Sequence, residues 1–232
     1  MQRILVTGAA GKIGQTVREG LRGAYELVRL TDIRPMSRAG PGEECVVADL
    51  TDAAALEQVT ASMDCVVHLG GIPTEAPWTE IIAANITGTA NLFEAAHRSG
   101  VKRVIYASSN HVIGYYRSDL SVGTDDPIRP DSRYGVSKAF GEAVGRLYAD
   151  KHGMSVACMR IGSFRMRPQS TRELATWVSP RDLVHLVRRC IDTPGYRFLT
   201  VYGVSANRRC RWTGSAAEYI GYHPQDDAEV FA

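Results

Sequence analysis

Val6-Thr7-Gly8-Ala9-Ala10-Gly11-Lys12-Ile13-Gly14 lies almost at the start of the 232-residue chain. The apolar run Ile4-Leu5-Val6 that leads into it reads as a buried strand, and Ile13, Val17 and Leu21 recur at the spacing of one helix face. Glycines at three-residue intervals join the two. Glycine lets the backbone turn sharply and keeps side chains out of the gap between loop and ligand. The helix N-terminus then offers free N–H groups and a positive dipole end to an anion such as a pyrophosphate. Glycine spacing alone signals no more than a tight strand-to-helix turn. Here the flanking strand and helix are both present, and a second strand, Glu26-Leu27-Val28-Arg29-Leu30, runs on towards Asp32. An acid about 20 residues past the glycines is placed to accept hydrogen bonds from a ribose diol. The stretch predicts a dinucleotide site. Asp32 would repel a 2′-phosphate, which predicts NAD rather than NADP.

Outward from this turn the chain alternates regularly. A turn-rich segment, Pro35 to Gly42, precedes a strand Cys45-Val46-Val47-Ala48 that ends at Asp49-Leu50. A helix from near Asp52 carries Leu56 and Val59, and a strand Cys65 to Leu69 stops at Gly70-Gly71, where bare backbone can pass close to a cofactor. A long helix is expected from about Trp78 to Arg98, then a strand Val101 to Ala107 that delivers Ser108-Ser109-Asn110-His111. A helix from about Arg133 and a strand Ser155 to Arg160 follow. Strands alternating with helices predict an α/β, Rossmann-like, doubly wound parallel sheet covered on both faces. Past Arg160 the pattern changes. Gly162 to Ala175 is polar and aperiodic; Ser179-Pro180 reads as a cap and first turn, opening a helix with Leu183, Leu186, Val187 and Ile191 on one face. A strand Phe198 to Tyr202 and a short helix near Ala216 to Ile220 end the chain. The expectation is one domain over 1–232, with approximately 162–232 forming a small substrate-side lobe.

Composition narrows the function. Hydrophobic residues make up 44% of the chain, enough for one sizeable core. The net charge is +2, with no basic stripe interleaved with aromatics, so nucleic acid is not expected as a partner. The five cysteines (Cys45, Cys65, Cys158, Cys190, Cys210) form no Cys-x-x-Cys pair and mostly sit in apolar runs, as reduced core residues of a cytoplasmic protein would. No His/Cys/carboxylate cluster has metal-ligand spacing, so no metal is expected. The first strand begins almost at position 1, which leaves no room for a signal peptide. No apolar run approaches the roughly 20 residues that span a bilayer, so no membrane association is expected.

The chemistry is carried by Tyr134-Gly135-Val136-Ser137-Lys138. The i, i+4 spacing puts a phenol and an ammonium on one helix face. A phenol titrates at about 10, too high for a base at neutral pH; a nearby cation favours the phenolate. Tyr134 could then take a hydroxyl proton while hydride leaves the same carbon, general-base help worth roughly 10²–10⁴ in rate. Ser109, at a strand's carboxyl end, is placed to hold the substrate oxygen. Tyr-x-x-x-Lys by itself is an ordinary helix start; joined to a dinucleotide turn and that serine it marks a dehydrogenase.

Thr7 to Gly14, Asp32, Asp49-Leu50, Asn85, Ser108-Ser109 and Tyr134-x-x-x-Lys138 together resemble an extended short-chain dehydrogenase/reductase, of the NAD-dependent epimerase/dehydratase kind, over nearly the whole chain. The resemblance implies a catalytic triad of Ser109, Tyr134 and Lys138, with Lys138 also on the nicotinamide ribose and Asp32 on the adenosine ribose. Asp49 and Leu50 would lie by the adenine. Further cofactor contacts are implied for Gly8, Gly11, Lys12, Ile13 and Gly14, for Ile33, for Leu69, Gly70 and Asn85, and for Tyr134 itself.

A narrower pattern, Ala107-Ser108-Ser109-Asn110-His111-Val112-Ile113-Gly114-Tyr115-Tyr116 with His68-Leu69-Gly70-Gly71-Ile72, Arg160-Ile161-Gly162-Ser163 and Thr176-Trp177, is similar to the uronate dehydrogenase branch. Those enzymes oxidise C1 of a hexuronic acid such as glucuronate or galacturonate with NAD, giving the aldaric acid lactone. The resemblance implies that Arg172 binds the substrate carboxylate through two parallel hydrogen bonds. Asn110 and His111 would line the sugar pocket. Thr74 would substitute for a serine that the branch carries where this chain has Pro73. The branch also implies a chain continuing past Ala232. The resemblance also implies a homo-oligomer, since in the superfamily subunits often pair through the helix faces that here carry small and apolar residues around Ala83–Ala96 and Ala139–Ala149. Two other readings stand beside this one: a nucleotide-sugar epimerase or dehydratase, which would need a larger C-terminal domain, and a non-catalytic dinucleotide sensor, for which a Tyr–Lys pair is not needed.

Overall fold

In the computed structural model, which describes residues 2–36, 39–214 and 216–232, the first strand leads straight into the glycine turn. Strand β1 (Arg3–Thr7) is followed by helix α1 (Lys12–Leu21), β2 (Leu27–Asp32) and β3 (Glu43–Val47). Of the turn-rich stretch Pro35 to Gly42, residues 37 and 38 lie outside the described residues. Helix α2 (Ala53–Thr60) starts where the side chain of Asp52 accepts from the N–H groups of Ala54 and Ala55, as a cap does. Strand β4 (Cys65–His68) stops one residue short of the expected Leu69.

The long helix expected from Trp78 to Arg98 forms in three pieces: α3 (Trp78–Ile81), a π-helical segment (Ile82–Thr87) and α4 (Gly88–Arg98). π-helical turns cluster at functional sites. Strand β5 (Arg103–Ser109) runs on into both serines, and a 3₁₀ turn (Asn110–Ile113) follows. After the short β6 (Val122–Gly123) comes α5 (Arg133–His152), capped by Ser132, whose hydroxyl accepts from Gly135 N–H. Strand β7 (Ser155–Ile161) matches the expected sixth strand. The stretch read as aperiodic, Gly162 to Ala175, contains β8 (Ser163–Phe164) and the start of α6 (Glu173–Thr176). The remaining elements are β9 (Trp177–Val178), α7 (Pro180–Asp192), β10 (Phe198–Gly203), β11 (Trp212–Thr213), α8 (Ala217–Ile220) and a terminal 3₁₀ turn (Ala228–Phe231).

Seven strands make one all-parallel sheet in the order β10-β7-β5-β4-β1-β2-β3. Alternation along each strand sends side chains to opposite faces. Ile4 and Val6 therefore pack with Val17 and Leu21 of α1 and Leu183, Leu186 and Val187 of α7. Leu5 and Val66 pack on the other face with Leu56, Leu92, Phe93 and Tyr148 of α2, α4 and α5. Each such side chain contributes about 1.5–3 kcal/mol by leaving water. Strand order reverses between β1 and β4. At such a switch point the two flanking loops diverge and leave a crevice at the carboxyl ends of the strands. β6 pairs with β11 and β8 with β9 beyond those ends, and Tyr202 stacks on Trp212 at 5.0 Å between ring centroids. Among the described residues no helix is long and apolar enough to cross a membrane.

Candidate active site

The crevice floor is the glycine turn. Gly8 has φ +68, and a Cβ there would stand 2.7 Å from Gly70 N. A Cβ on Gly14 would stand 2.2 Å from Gly8 O, so α1 can approach the turn only because no side chain intervenes. Asp32 is buried and ties the turn down: one carboxylate oxygen accepts from Ala10 N–H (3.0 Å), the other from Arg34 N–H (3.0 Å) and Arg34 Nε (3.3 Å). Ile33, beside it, is exposed, as is Lys12 at the mouth of α1. Thr7 Oγ1 accepts from Gly70 N–H (3.1 Å) and lies 2.7 Å from His68 Nδ1. Burial pushes His68 down to about 3, with the charge of Lys138 acting in the same direction, so its ring is neutral. His68 thus fastens the strand ends. Leu50 fills the space left by the missing side chains of Gly70 and Gly88, and Asp49 accepts from Thr51 N–H and Oγ1.

The wall is the first two turns of α5. Lys138 is only 6% exposed, and its ammonium makes no hydrogen bond or ion pair among the described residues. It lies 5.1 Å from the centroid of the Tyr106 ring and 5.6 Å from that of Tyr134. Burial pushes it down to about 8. Burial raises the Tyr134 phenol, and the Ser109 hydroxyl beside it offsets part of that rise. Ser109 Oγ accepts from His111 N–H (3.2 Å), which leaves its own proton available. The structure thus brings Ser109, Tyr134 and Lys138 together at the carboxyl end of β5.

Opposite stands Arg172, at the start of α6. With the Asn110 amide oriented so that its nitrogen donates to Ile161 O (3.2 Å), its oxygen accepts from Arg172 Nη2 (3.0 Å). Asn110 therefore holds the guanidinium. His111 Nδ1 lies 2.8 and 3.0 Å from the Asp131 oxygens, and its ring meets that of Tyr134 at 5.6 Å, edge to face.

Asn85, a cofactor contact by the resemblance, makes its side-chain hydrogen bonds here within the protein. Its side-chain oxygen accepts from Ile72 N–H (2.7 Å), and its nitrogen donates to Ile72 O (3.0 Å) and Ser137 Oγ (3.0 Å). Those bonds clamp the π-helical segment to the loop after β4 and to α5. Thr74 is exposed on that loop, next to Glu75, a residue the sequence reading passed over. Glu75 accepts from Arg133 Nη1 (3.0 Å) and from Tyr134 N–H (3.2 Å) at the N-terminus of α5, where a negative charge is favourable. Behind the site Glu142 accepts from Ser108 Oγ (2.6 Å) and, through both oxygens, from Arg160 (2.9 Å each). Among the described residues no group of three or more His, Cys, Asp or Glu is clustered to hold a metal.

A parallel sheet whose strand order reverses beside a glycine turn, with a Tyr-x-x-x-Lys helix packed on the neighbouring strand β5, defines an NAD-binding oxidoreductase architecture. Residues 4–178 match the NAD dependent epimerase/dehydratase family, and the chain belongs to it. It is 46% identical over 230 residues to a uronate dehydrogenase of Pseudomonas putida, covering 99% of this chain and 86% of that protein. It is 37% identical over 253 residues to an NAD-dependent glucose-6-phosphate dehydrogenase of Haloferax volcanii, covering 99% of this chain and 95% of that one. Among solved structures, a mutant uronate dehydrogenase of Agrobacterium tumefaciens complexed with NAD superposes with a TM-score of 0.96 at 46% identity, over 100% of this chain and 87% of that one.

Proposed function

We propose that this protein oxidises C1 of a hexuronic acid, glucuronate or galacturonate, with NAD, giving the aldaric acid lactone. The observation that carries the reading is the buried, unpartnered Lys138 ammonium beside the Tyr134 phenol. A buried cation without acceptors is costly, and the hydroxyls of a ribose would supply the acceptors it lacks. The glycine turn, which side chains would block, and Asp32 fit the rest of the dinucleotide. NAD, held there, supplies the hydride acceptor.

The chain's own residues do the remainder. Burial brings Lys138 down to about 8, so it carries its charge at neutral pH, and that charge favours the Tyr134 phenolate. The phenolate takes the C1 hydroxyl proton, while Ser109 donates a hydrogen bond to the same oxygen and fixes its position. Arg172, set by Asn110, pairs with the substrate carboxylate at the far end of the sugar. We propose a homo-oligomer as well, with Trp78, Ile82, Val136 and Leu147 as exposed apolar side chains available to a second copy, and a cytoplasmic setting in which the five free cysteines stay reduced; light scattering reads the first.

The test is direct. Protein mixed with NAD and either uronate should raise the absorbance of reduced nicotinamide, and Arg172→Ala should raise KM for uronates far more than for an uncharged aldose. Turnover of another sugar with neither uronate oxidised would remove the substrate assignment.

A further inference from the structure

His111 and Asp131 form a pair that the proton transfer described above does not use. The Asp131 carboxylate only accepts hydrogen bonds, so the contact at 2.8 Å makes His111 Nδ1 the donor. In the neutral ring Nε2 is then an acceptor, and it has no partner among the described residues. The ring stands edge to face on Tyr134 at 5.6 Å. We propose that Asp131 is a positioning residue: it fixes which nitrogen of His111 carries the proton, so that Nε2 accepts a hydrogen bond from a sugar hydroxyl next to the reacting carbon.

The surroundings hold Asp131 in that task. Its N–H donates to His111 O (3.3 Å), and the segment before it runs beside the 3₁₀ turn through Arg129 N–H to Val112 O and Tyr115 N–H to Arg129 O, both 2.9 Å. Ser132 Oγ donates to Asp131 Oδ1 (3.0 Å) while accepting from Gly135 N–H (2.9 Å), which ties the pair to the cap of the helix that carries Tyr134. A Cβ on Gly114 would lie 2.0 Å from Asp131 Oδ2, so the carboxylate reaches His111 only because residue 114 is glycine. A histidine is oriented for its task by what its other nitrogen touches. The division of labour that follows is specific: Arg172 reads a carboxylate and His111 reads a hydroxyl.

The inference rests on the sugar-acid reading of the crevice, and the experiment separates the two. Nitrogen NMR of the wild-type protein labelled at histidine, recorded at a pH alkaline enough for the ring to be neutral and with the His111 signals assigned by their loss in His111→Gln, should show Nδ1 protonated and Nε2 bare. A uronate added with NAD should shift the Nε2 signal. In Asp131→Asn the side-chain amide can donate to Nδ1 and reverse the tautomer, so KM for the uronate should rise roughly tenfold, the worth of about one hydrogen bond. kcat and the Kd for NAD should move less than threefold. Gly114→Ala, which removes no polar group but whose methyl would displace the Asp131 carboxylate, should raise KM in the same way. A proton on Nε2 in the wild-type protein, or an unchanged KM in a folded Asp131→Asn variant, overturns the role of Asp131. Absence of uronate turnover in the wild type overturns the substrate assignment and leaves the tautomer measurement standing.

Discussion

Lys138 is expensive to bury, and the size of that cost separates function from stability at a single residue. An ordinary lysine titrates at about 10.4; this one is brought to about 8 by desolvation. The folded state therefore holds the proton more weakly than the unfolded chain. Below about pH 8 the ammonium is charged in both states and the penalty, about 3 kcal/mol at 1.36 kcal/mol per unit, is present in full. Between about pH 8 and 10.4 the folded state loses the proton first and the penalty fades. Lys138→Met should therefore melt above the wild type at pH 7, with the difference shrinking as the pH rises towards 10, and should lose turnover. Calorimetry across that range checks the sign: a variant less stable at pH 7 would mean the ammonium has a partner. Tyr134→Phe isolates the other half of the pair. It keeps the ring that packs on His111 but has no proton acceptor, so kcat should fall by roughly 10²–10⁴ while titration calorimetry shows NAD binding unchanged.

Two elements meet the crevice through positions where one atom decides the packing. Alanine at Gly14 would normally steady a helix by about 0.5–1 kcal/mol. Here its methyl would stand 2.2 Å from Gly8 O, against backbone rather than a side chain that can rotate away. The clash wins, so Gly14→Ala should lower Tm and weaken NAD binding at least tenfold; a neutral outcome would show that α1 can shift without disturbing the turn. Behind the site, Glu142 on α5 joins Ser108 on β5 to Arg160 on β7. Replacing a buried pair by apolar residues can be neutral, but removing one partner strands the other charge at a cost of about 3–5 kcal/mol. Glu142→Gln should unfold at correspondingly lower denaturant, measured by equilibrium unfolding. The elements themselves were largely legible, because strand alternation and helix periodicity are local signals. The π-helical segment was not. It is fixed by Asn85 bonding to Ile72 and Ser137, 13 and 52 residues away, and no spacing within the helix announces that. The two-residue strands β8 and β9 escaped for a related reason, since so short a run has no period to read.

Across the whole molecule the same distinction holds for the site. Gly8, Asp32, Ser109, Tyr134 and Lys138 could be picked out because their spacing within one crossover unit, or at the end of a strand, already implies their placement. Glu75 could not, since it reaches Tyr134 N–H from 59 residues away, and neither could Asp131, which finds His111 across a loop of 20. What the assembled sheet adds is a single crevice where all of these converge, so a ligand seated there stabilises the entire fold. At a concentration a hundredfold above Kd, NAD should contribute about 2.7 kcal/mol. For a chain of this length each kcal/mol raises Tm by about 2–4 °C, which gives roughly 5–10 °C. NADP at the same concentration should give a much smaller shift, because its 2′-phosphate would face the Asp32 carboxylate, already fastened to Ala10 N–H and to Arg34. Equal shifts for the two cofactors would mean that Arg34, two-thirds exposed and paired with Asp32 at 3.3 Å, leaves its carboxylate for the phosphate. Repeating the scan with Arg34→Ala would decide it: the NADP shift should then vanish while the NAD shift remains.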